Sequence, residues 1–300
     1  MNILILGNSE ELHITHVQKA LTQAGVKVEY LNTSEFITGM NLSWQPDTQQ
    51  GYLSLANGYR FNLQDIHSVF WHSFGNIPMP SFQDTAYHAI YNAMSTLRSV
   101  MQGASIRWIN SWQAYQFHQE KPLQLKRIKE IGVKIPSTLI SNDPQAILEF
   151  VKSHEKLTFK PVYGSSCTRP ITETYFDRDR LSLALCFSPV KIQEYNPGTN
   201  IRVYVIGESI YSAEICSPSL DIVDSREAQI IPIELPQTIQ HQCRAIAKAF
   251  SLEWAAIDWR LNMRGEYIFL EANPSPKFLD FEYQTGFPIT QTLVNLLMNG

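Results

Sequence analysis

Residues 253–274 read Glu-Trp-Ala-Ala-Ile-Asp-Trp-Arg-Leu-Asn-Met-Arg-Gly-Glu-Tyr-Ile-Phe-Leu-Glu-Ala-Asn-Pro. This is the pattern of two β-strands joined by a tight turn at Asn262-Met263-Arg264-Gly265. Ile257, Trp259, Tyr267, Phe269 and Leu270 supply the β-branched and aromatic bulk that strands favour. Asp258 lies inside the first strand; Glu271 and Asn273 end the second, two residues apart and therefore on one face. Two carboxylates and an amide oxygen converging across a hairpin form a hard oxygen set suited to Mg²⁺, above all when phosphate oxygens complete the shell. By itself the stretch is equally compatible with an ordinary hairpin ending in polar residues.

The preceding sequence separates these two readings. In order come Asn110-Ser111 with Lys121, Ile131-Gly132-Val133-Lys134-Ile135-Pro136-Ser137-Thr138, Thr158-Phe159-Lys160-Pro161, and Gln193-Glu194-Tyr195 with Asn200-Ile201-Arg202-Val203. With Asp258 and the Glu271-x-Asn273 pair, this succession resembles the ATP-grasp superfamily, and six segments in order are far more specific than any one. The resemblance covers residues 110–274 and weakens over 30–105. It implies an α/β N-terminal domain (1–112) followed by an α+β ATP-grasp fold. In that fold a central subdomain (113–190) and a C-terminal subdomain (191–300) clasp ATP between antiparallel sheets.

Composition is compatible with this. Three hundred residues with 44% hydrophobic content can bury a substantial core. The formal net charge of −4 gives no basic footprint for nucleic acid. No run of 18 apolar residues suggests a membrane span. The opening Met-Asn-Ile-Leu-Ile-Leu-Gly lacks the charged flank of a signal peptide and reads as a buried strand. Cys167, Cys186, Cys216 and Cys243 are widely spaced without a C-x-x-C, as expected of reduced thiols in the cytoplasm.

Along the chain, residues 2–7, a helical stretch 10–24 and residues 26–31 form a β-α-β start, with Leu12, Val17, Ala20, Leu21 and Ala24 toward one helix face. Gly7-Asn8-Ser9 is not a dinucleotide fingerprint. Residues 39–64 suggest a small hairpin insertion, 66–71 a buried strand, 81–103 a long helix and 106–109 a short strand. Beyond residue 115, Glu120–Ile131 is an amphipathic helix, and Asp143-Pro144 caps another. Strands follow near 156–161, 190–195, 200–206 and 209–216, then an irregular segment 217–235, a helix 236–250 and a closing segment 287–298.

Lys121 and Lys160 are candidate phosphate clamps, since a lysine is a compact point charge. Lys160, within a strand-like run, is costly there unless its charge is matched. By the resemblance, residues 161–170 are a phosphate flap in which a single glycine, Gly164, is joined by Ser165 and Ser166 as hydroxyl donors. The same resemblance implies that Gln193, Glu194 and Tyr195 form a hinge offering backbone groups to adenine, and Asn200 stands where the family pattern has an aspartate. Arg202 is open to two roles: a phosphate partner or a structural salt bridge.

Val223-Asp224-Ser225-Arg226 resembles a step of the graspetide (microviridin-type) ligases and their RimK-like relatives, with Ser225 in place of tryptophan. That likeness implies an ADP-forming ligase that needs ATP and Mg²⁺. Arg226 and Arg260 would stabilise the oxyanion at the acyl carbon. The partner would be a ribosomal precursor peptide with a leader, and a homodimer is allowed. A small-molecule carboxylate and amino-acid ligase, and a non-catalytic nucleotide-binding protein, are the alternatives. His13, His16, His67 and His72 read as ordinary histidines rather than metal ligands.

Overall fold

The computed structural model describes residues 1–8, 11–32, 39–55, 58–72, 83–103, 105–162, 169–170, 185, 188–216 and 228–299. In chain order the N-terminal elements are β1 (Asn2–Gly7), α1 (Leu12–Gln23), β2 (Lys27–Asn32), β3 (Met40–Gln45), β4 (Gln50–Leu55), β5 (Arg60–Asn62), β6 (Ser68–Trp71), α2 (Gln83–Gly103) and β7 (Arg107–Ile109). Next come α3 (Trp112–Gln119), α4 (Lys121–Glu130), β8 (Thr138–Ser141), α5 (Pro144–Lys152), β9 (Leu157–Pro161), β10 (Arg169–Pro170) and β11 (Val190–Glu194). The remainder is β12 (Gly198–Ile206), β13 (Ser209–Cys216), β14 (Gln229–Pro232), α6 (Gln237–Ala249), β15 (Trp254–Asn262), β16 (Tyr267–Asn273), α7 (Leu279–Thr285) and α8 (Ile289–Asn299).

The first sheet is parallel throughout, in the order β2-β1-β6-β7. Ile3, Leu4, Ile5 and Leu6 are all buried, as an interior strand covered on both faces requires. Helix α1 turns Ile14, Val17 and Leu21 inward. Leu12, expected on that face, is 74% exposed because it lies two residues before Ile14, on the opposite side of a helix with about 3.6 residues per turn. The insertion is a three-stranded antiparallel meander, β3-β4-β5, rather than a hairpin. A second sheet runs β10-β9-β11-β8. The third, β14-β13-β12-β15-β16, is antiparallel. It includes β14 inside a stretch expected to be irregular, where the alternation was too short to register. Helix α7 was likewise not anticipated. Among the described residues no helix is long and apolar enough to cross a membrane.

The opening stretch forms the expected hairpin. Asn262 closes its turn: its Oδ1 accepts from the amides of Arg264 and Glu266, both at 2.9 Å. Gly265 adopts φ +76°, a left-handed conformation that glycine enters without steric cost. One feature was not foreseen. The register slips between Asp258 and Trp259, so Asp258 lies opposite Glu271 and Trp259 opposite Phe269, leaving Leu270 as the extra residue of a bulge.

The two faces of the large sheet differ. Ile201, Val203, Ile257, Trp259 and Phe269 form one core with Ile239, Cys243 and Ile246 of α6 and Ile128 of α4. On the other face Tyr204, Trp254 and Ala256 merge with Ile3, Ile5 and Phe70 of the parallel sheet and with Phe281 and Leu293 of α7 and α8. Asn110 staples these layers together. Its Nδ2 donates to the carbonyls of Trp254 (2.7 Å) and Pro274 (2.8 Å), and its Oδ1 accepts from the amides of Glu253 (2.8 Å) and Trp254 (3.1 Å). The side-chain amide thus mimics a peptide unit pairing with the start of β15, while also holding the chain leaving β16. Asn110 is buried, so Asn110→Ala leaves those four backbone groups without their partner. A loss of about 3–5 kcal/mol is expected, read as a lower urea midpoint of unfolding.

Candidate active site

Cross-strand register builds the site. On the face shared with the parallel sheet, successive rows of the large sheet read Ile206–Trp254, Tyr204–Ala256–Asn273, Arg202–Asp258–Glu271 and Asn200–Arg260–Ile268. The first rows are buried under the N-terminal layer. Polarity begins where that cover gives way to Arg202, Asp258 and Glu271.

Arg202 grips Asp258 through a fork: Nε to Oδ1 at 2.8 Å and Nη2 to Oδ2 at 2.9 Å. Of the two roles open to Arg202, the structure displays the salt bridge. The pair is largely buried. Its bidentate geometry takes one lone pair from each carboxylate oxygen and leaves another on each. Beside it, Lys121 at the start of α4 is buried and ion-paired to Glu271. Burial alone would raise the Glu271 carboxyl; the Lys121 ammonium, with His118 and Lys160, outweighs it and holds the group at about 2. Asn273 follows two residues along β16, with its Oδ1 accepting from Ser275 N at 2.9 Å.

His118 was not anticipated, and it anchors this cluster. Its Nδ1 lies 2.9 Å from the carbonyl of Ala272, between Glu271 and Asn273, so that nitrogen carries the proton. Lys121 Nζ sits 3.3 Å from both ring nitrogens. Burial, and then the Lys121 charge, press the imidazole down to about 4, so it is neutral near pH 7.

The opposite wall is the four-stranded sheet. Lys160 on β9 lies in register with Lys191 on β11. Lys191 also escaped the sequence reading. Its signal is the alternation Val190-Lys191-Ile192-Gln193, in which Val190 and Ile192 enter the core with Ile147 and Leu157. Burial chiefly, then Lys160 and Lys121, bring its amine down to about 8 against the opposing pull of Glu271.

At the hinge, Gln193 is buried and its Nε2 donates to Thr138 Oγ1 at 3.0 Å. The amides of Glu194 and Tyr195 are spent on the carbonyls of Ser137 and Lys156, both at 2.9 Å. The expectation of backbone recognition there narrows accordingly: a purine edge would meet carbonyl oxygens, or amides beyond Tyr195. Arg260 is buried, donates from Nη1 to Gly198 O at 3.1 Å, and lies 5.7 Å from the Tyr195 ring. Its cross-strand neighbour Asn200 is buried with Oδ1 unpartnered. Ser165, Ser166 and Arg226 lie outside the described residues. The structure therefore brings together Lys121, Arg202, Asp258 and Glu271, with Lys160 in the opposing sheet and Asn200, Tyr195 and Arg260 at the hinge end.

The donor set fits a divalent cation: Asp258, Glu271 and Asn273 offer only oxygen, the ligand type magnesium prefers. Lys121, Lys160, Lys191 and Arg202 supply the kind of cationic side chains that a polyanion calls for.

No family model matches the chain, and no curated protein matches it by sequence. Solved structures do match. The macrocyclase MdnC bound with precursor peptide MdnA, from Microcystis aeruginosa MRC, aligns over 100% of both chains at 26% identity and a TM-score of 0.88. The ATP-grasp ligase PsnB complexed with minimal precursor, Mg and ADP aligns over 99% of this chain and 96% of its own at 25% identity and TM-score 0.83. A RimK domain ATP-grasp protein from Sphaerobacter thermophilus DSM 20745 shares the fold over 100% of both chains at 10% identity, with a TM-score of 0.66.

Two half-buried histidines set a pH response. His13, like His118, is lowered to about 4, by burial first and then by His72 and Lys277. For both, the folded value lies below the usual 6.5. As pH falls from about 6.5 toward 4, the unfolded chain takes up protons that the folded chain refuses, so stability present above that window is lost within it. Urea titrations across this range should show the decline, and His118→Asn and His13→Asn should each flatten it. An unchanged slope in both variants would refute the assignment.

Proposed function

We propose that this chain, an ATP-grasp protein in fold, is an ADP-forming ligase that joins side chains within a ribosomal precursor peptide. The carrying observation is the Arg202–Asp258–Glu271 row with Lys121 across it, in a chain aligned end to end with peptide-bound ligases of the same fold. A carboxylate of the peptide attacks the γ-phosphorus of ATP, giving an acyl phosphate and ADP. A hydroxyl or amine of the same peptide then attacks the acyl carbon, loses its proton and expels phosphate, leaving an ester or amide.

In this reading Asp258, Glu271 and Asn273 hold Mg²⁺, which when bound neutralises charge on the phosphates. Lys121 and Lys160 grip the phosphate oxygens and align them for transfer. Arg202 keeps Asp258 oriented and adds its charge to theirs. Gln193, Glu194, Tyr195 and Asn200 form the nucleoside end, and Ser165 and Ser166 cover the phosphates. Arg226 and Arg260 meet the oxyanion that develops on the acyl carbon. Consumption of ATP, and free thiols at Cys216 and Cys243, support a cytoplasmic setting. The whole-chain match to precursor-bound ligases favours a peptide over a small carboxylate.

Purified protein with Mg²⁺ and ATP should be nearly idle until a cognate precursor peptide is added. ADP then accumulates, and the peptide loses about 18 Da per ring closed, the mass of the water removed between acid and nucleophile. Ligation of free amino acids with no response to any precursor would favour the small-molecule alternative. Glu271→Gln replaces a charged ligand by a neutral amide and should cut turnover by about 10²-fold or more while the fold persists, measured as ADP release beside circular dichroism. Turnover close to wild type would remove Glu271 from the metal site.

A further inference from the structure

None of the roles proposed for the lysines and arginines uses Lys191. Its position is nonetheless specific. Val190 and Ile192 commit one face of β11 to the small core, which turns Lys191 and Gln193 to the other. Lys191 is paired in register with Lys160 on one side and Ile140 on the other. It is 9% exposed, and among the described residues no carboxylate lies within ion-pair distance of it. The charges it feels are Lys160, Lys121 and Glu271, and Glu271 is already bonded to Lys121.

A buried amine facing two other lysines is unfavourable by itself, because burial removes its hydration and the neighbours repel it. A leucine or methionine at 191 would be cheaper for the fold alone. Among the described residues the two carboxylates of this row are already taken, Asp258 by Arg202 and Glu271 by Lys121, so neither is left to pair with Lys191. A buried ammonium so placed is stabilised by a ligand that brings negative oxygens to it. Lys191 rises from the strand that leads into the hinge, two residues before Gln193 and in register with Lys160.

We propose that Lys191 is a third lysine ligand of the nucleotide's polyphosphate, closing with Lys121 and Lys160 around the phosphate oxygens. This rests on the ATP-grasp reading and deepens it: three amines instead of two hold the di- or triphosphate, and Lys191 contributes to binding and alignment rather than to fold stability.

Calorimetry on the full chain with ADP and with adenosine, in the presence of Mg²⁺, tests the proposal. Lys191→Met should weaken ADP binding by about 10- to 100-fold, the range for one charge-assisted contact, and leave adenosine binding unchanged. Its Tm should equal or exceed that of wild type, since an unfavourable buried charge is gone. Lys191→Arg, which keeps the charge, should recover most of the ADP affinity. The ADP-to-adenosine affinity ratio is insensitive to any unfolded fraction, which reduces both affinities alike. A ratio unchanged in Lys191→Met while wild type binds ADP overturns the assignment, as does an equal loss for both ligands. Failure of wild type to bind ADP at all would instead overturn the ATP-grasp reading.

Discussion

The structure depends on one side chain standing in for a peptide bond. Asn110 leaves the last strand of the parallel sheet and places its amide against the backbone where β15 begins and where the chain departs from β16. Those two strands carry Asp258, Glu271 and Asn273. Buried backbone groups must find partners, and here four of them find the same one. Trp71 completes the junction by donating from its indole to the carbonyl of Asn110 at 2.6 Å. The parallel sheet and the large antiparallel sheet are thereby fixed relative to the hairpin.

The site emerges from a gradient along that hairpin. At its base, Trp254, Ala256 and Tyr204 are covered by the N-terminal layer and by α7 and α8, and the sheet face is apolar. Higher up the cover ends, and the same face carries Arg202, Asp258, Arg260 and Asn200. A sheet face that is half core and half cleft gives its charged residues rigid backbones and low exposure together. This is the arrangement that keeps a charge cluster organised before a ligand arrives. The bulge at Leu270 contributes directly. It restores Phe269 to the core beneath the sheet while leaving Glu271 opposite Asp258.

Electrostatics within the cleft follow from the same economy of water. His118 stays neutral because it is buried beside Lys121, and it ties the helix pair to the backbone of β16 between two proposed metal ligands. Glu271 stays ionised although burial opposes it, because Lys121 lies against it. Both groups are held deprotonated beside one ammonium, which leaves the imidazole neutral and the carboxylate charged, so the cluster keeps a defined charge pattern.

The sequence alone carried the elements with strong period or punctuation: the buried first strand, the capped helix at Asp143, and the hairpin with Asn262 and Gly265 in its turn. It also carried the residue types at Lys121, Lys160, Asp258 and Glu271, because their order along the chain is a local property. It did not carry Lys191 or His118, whose meaning comes from a strand facing another sheet and from a helix docked on β16. The exposed Leu12, the third strand of the insertion and the strand β14 were misread for a related reason: a short apolar pattern does not say which neighbour will cover it. The Arg202–Asp258 fork joins residues 56 positions apart, and the bulge that aligns Asp258 with Glu271 is a property of paired strands rather than of either strand. Side-chain type is written in the chain, but partner, burial and charge state are set only when distant segments exclude water together, and tertiary structure alone decides which segments those are.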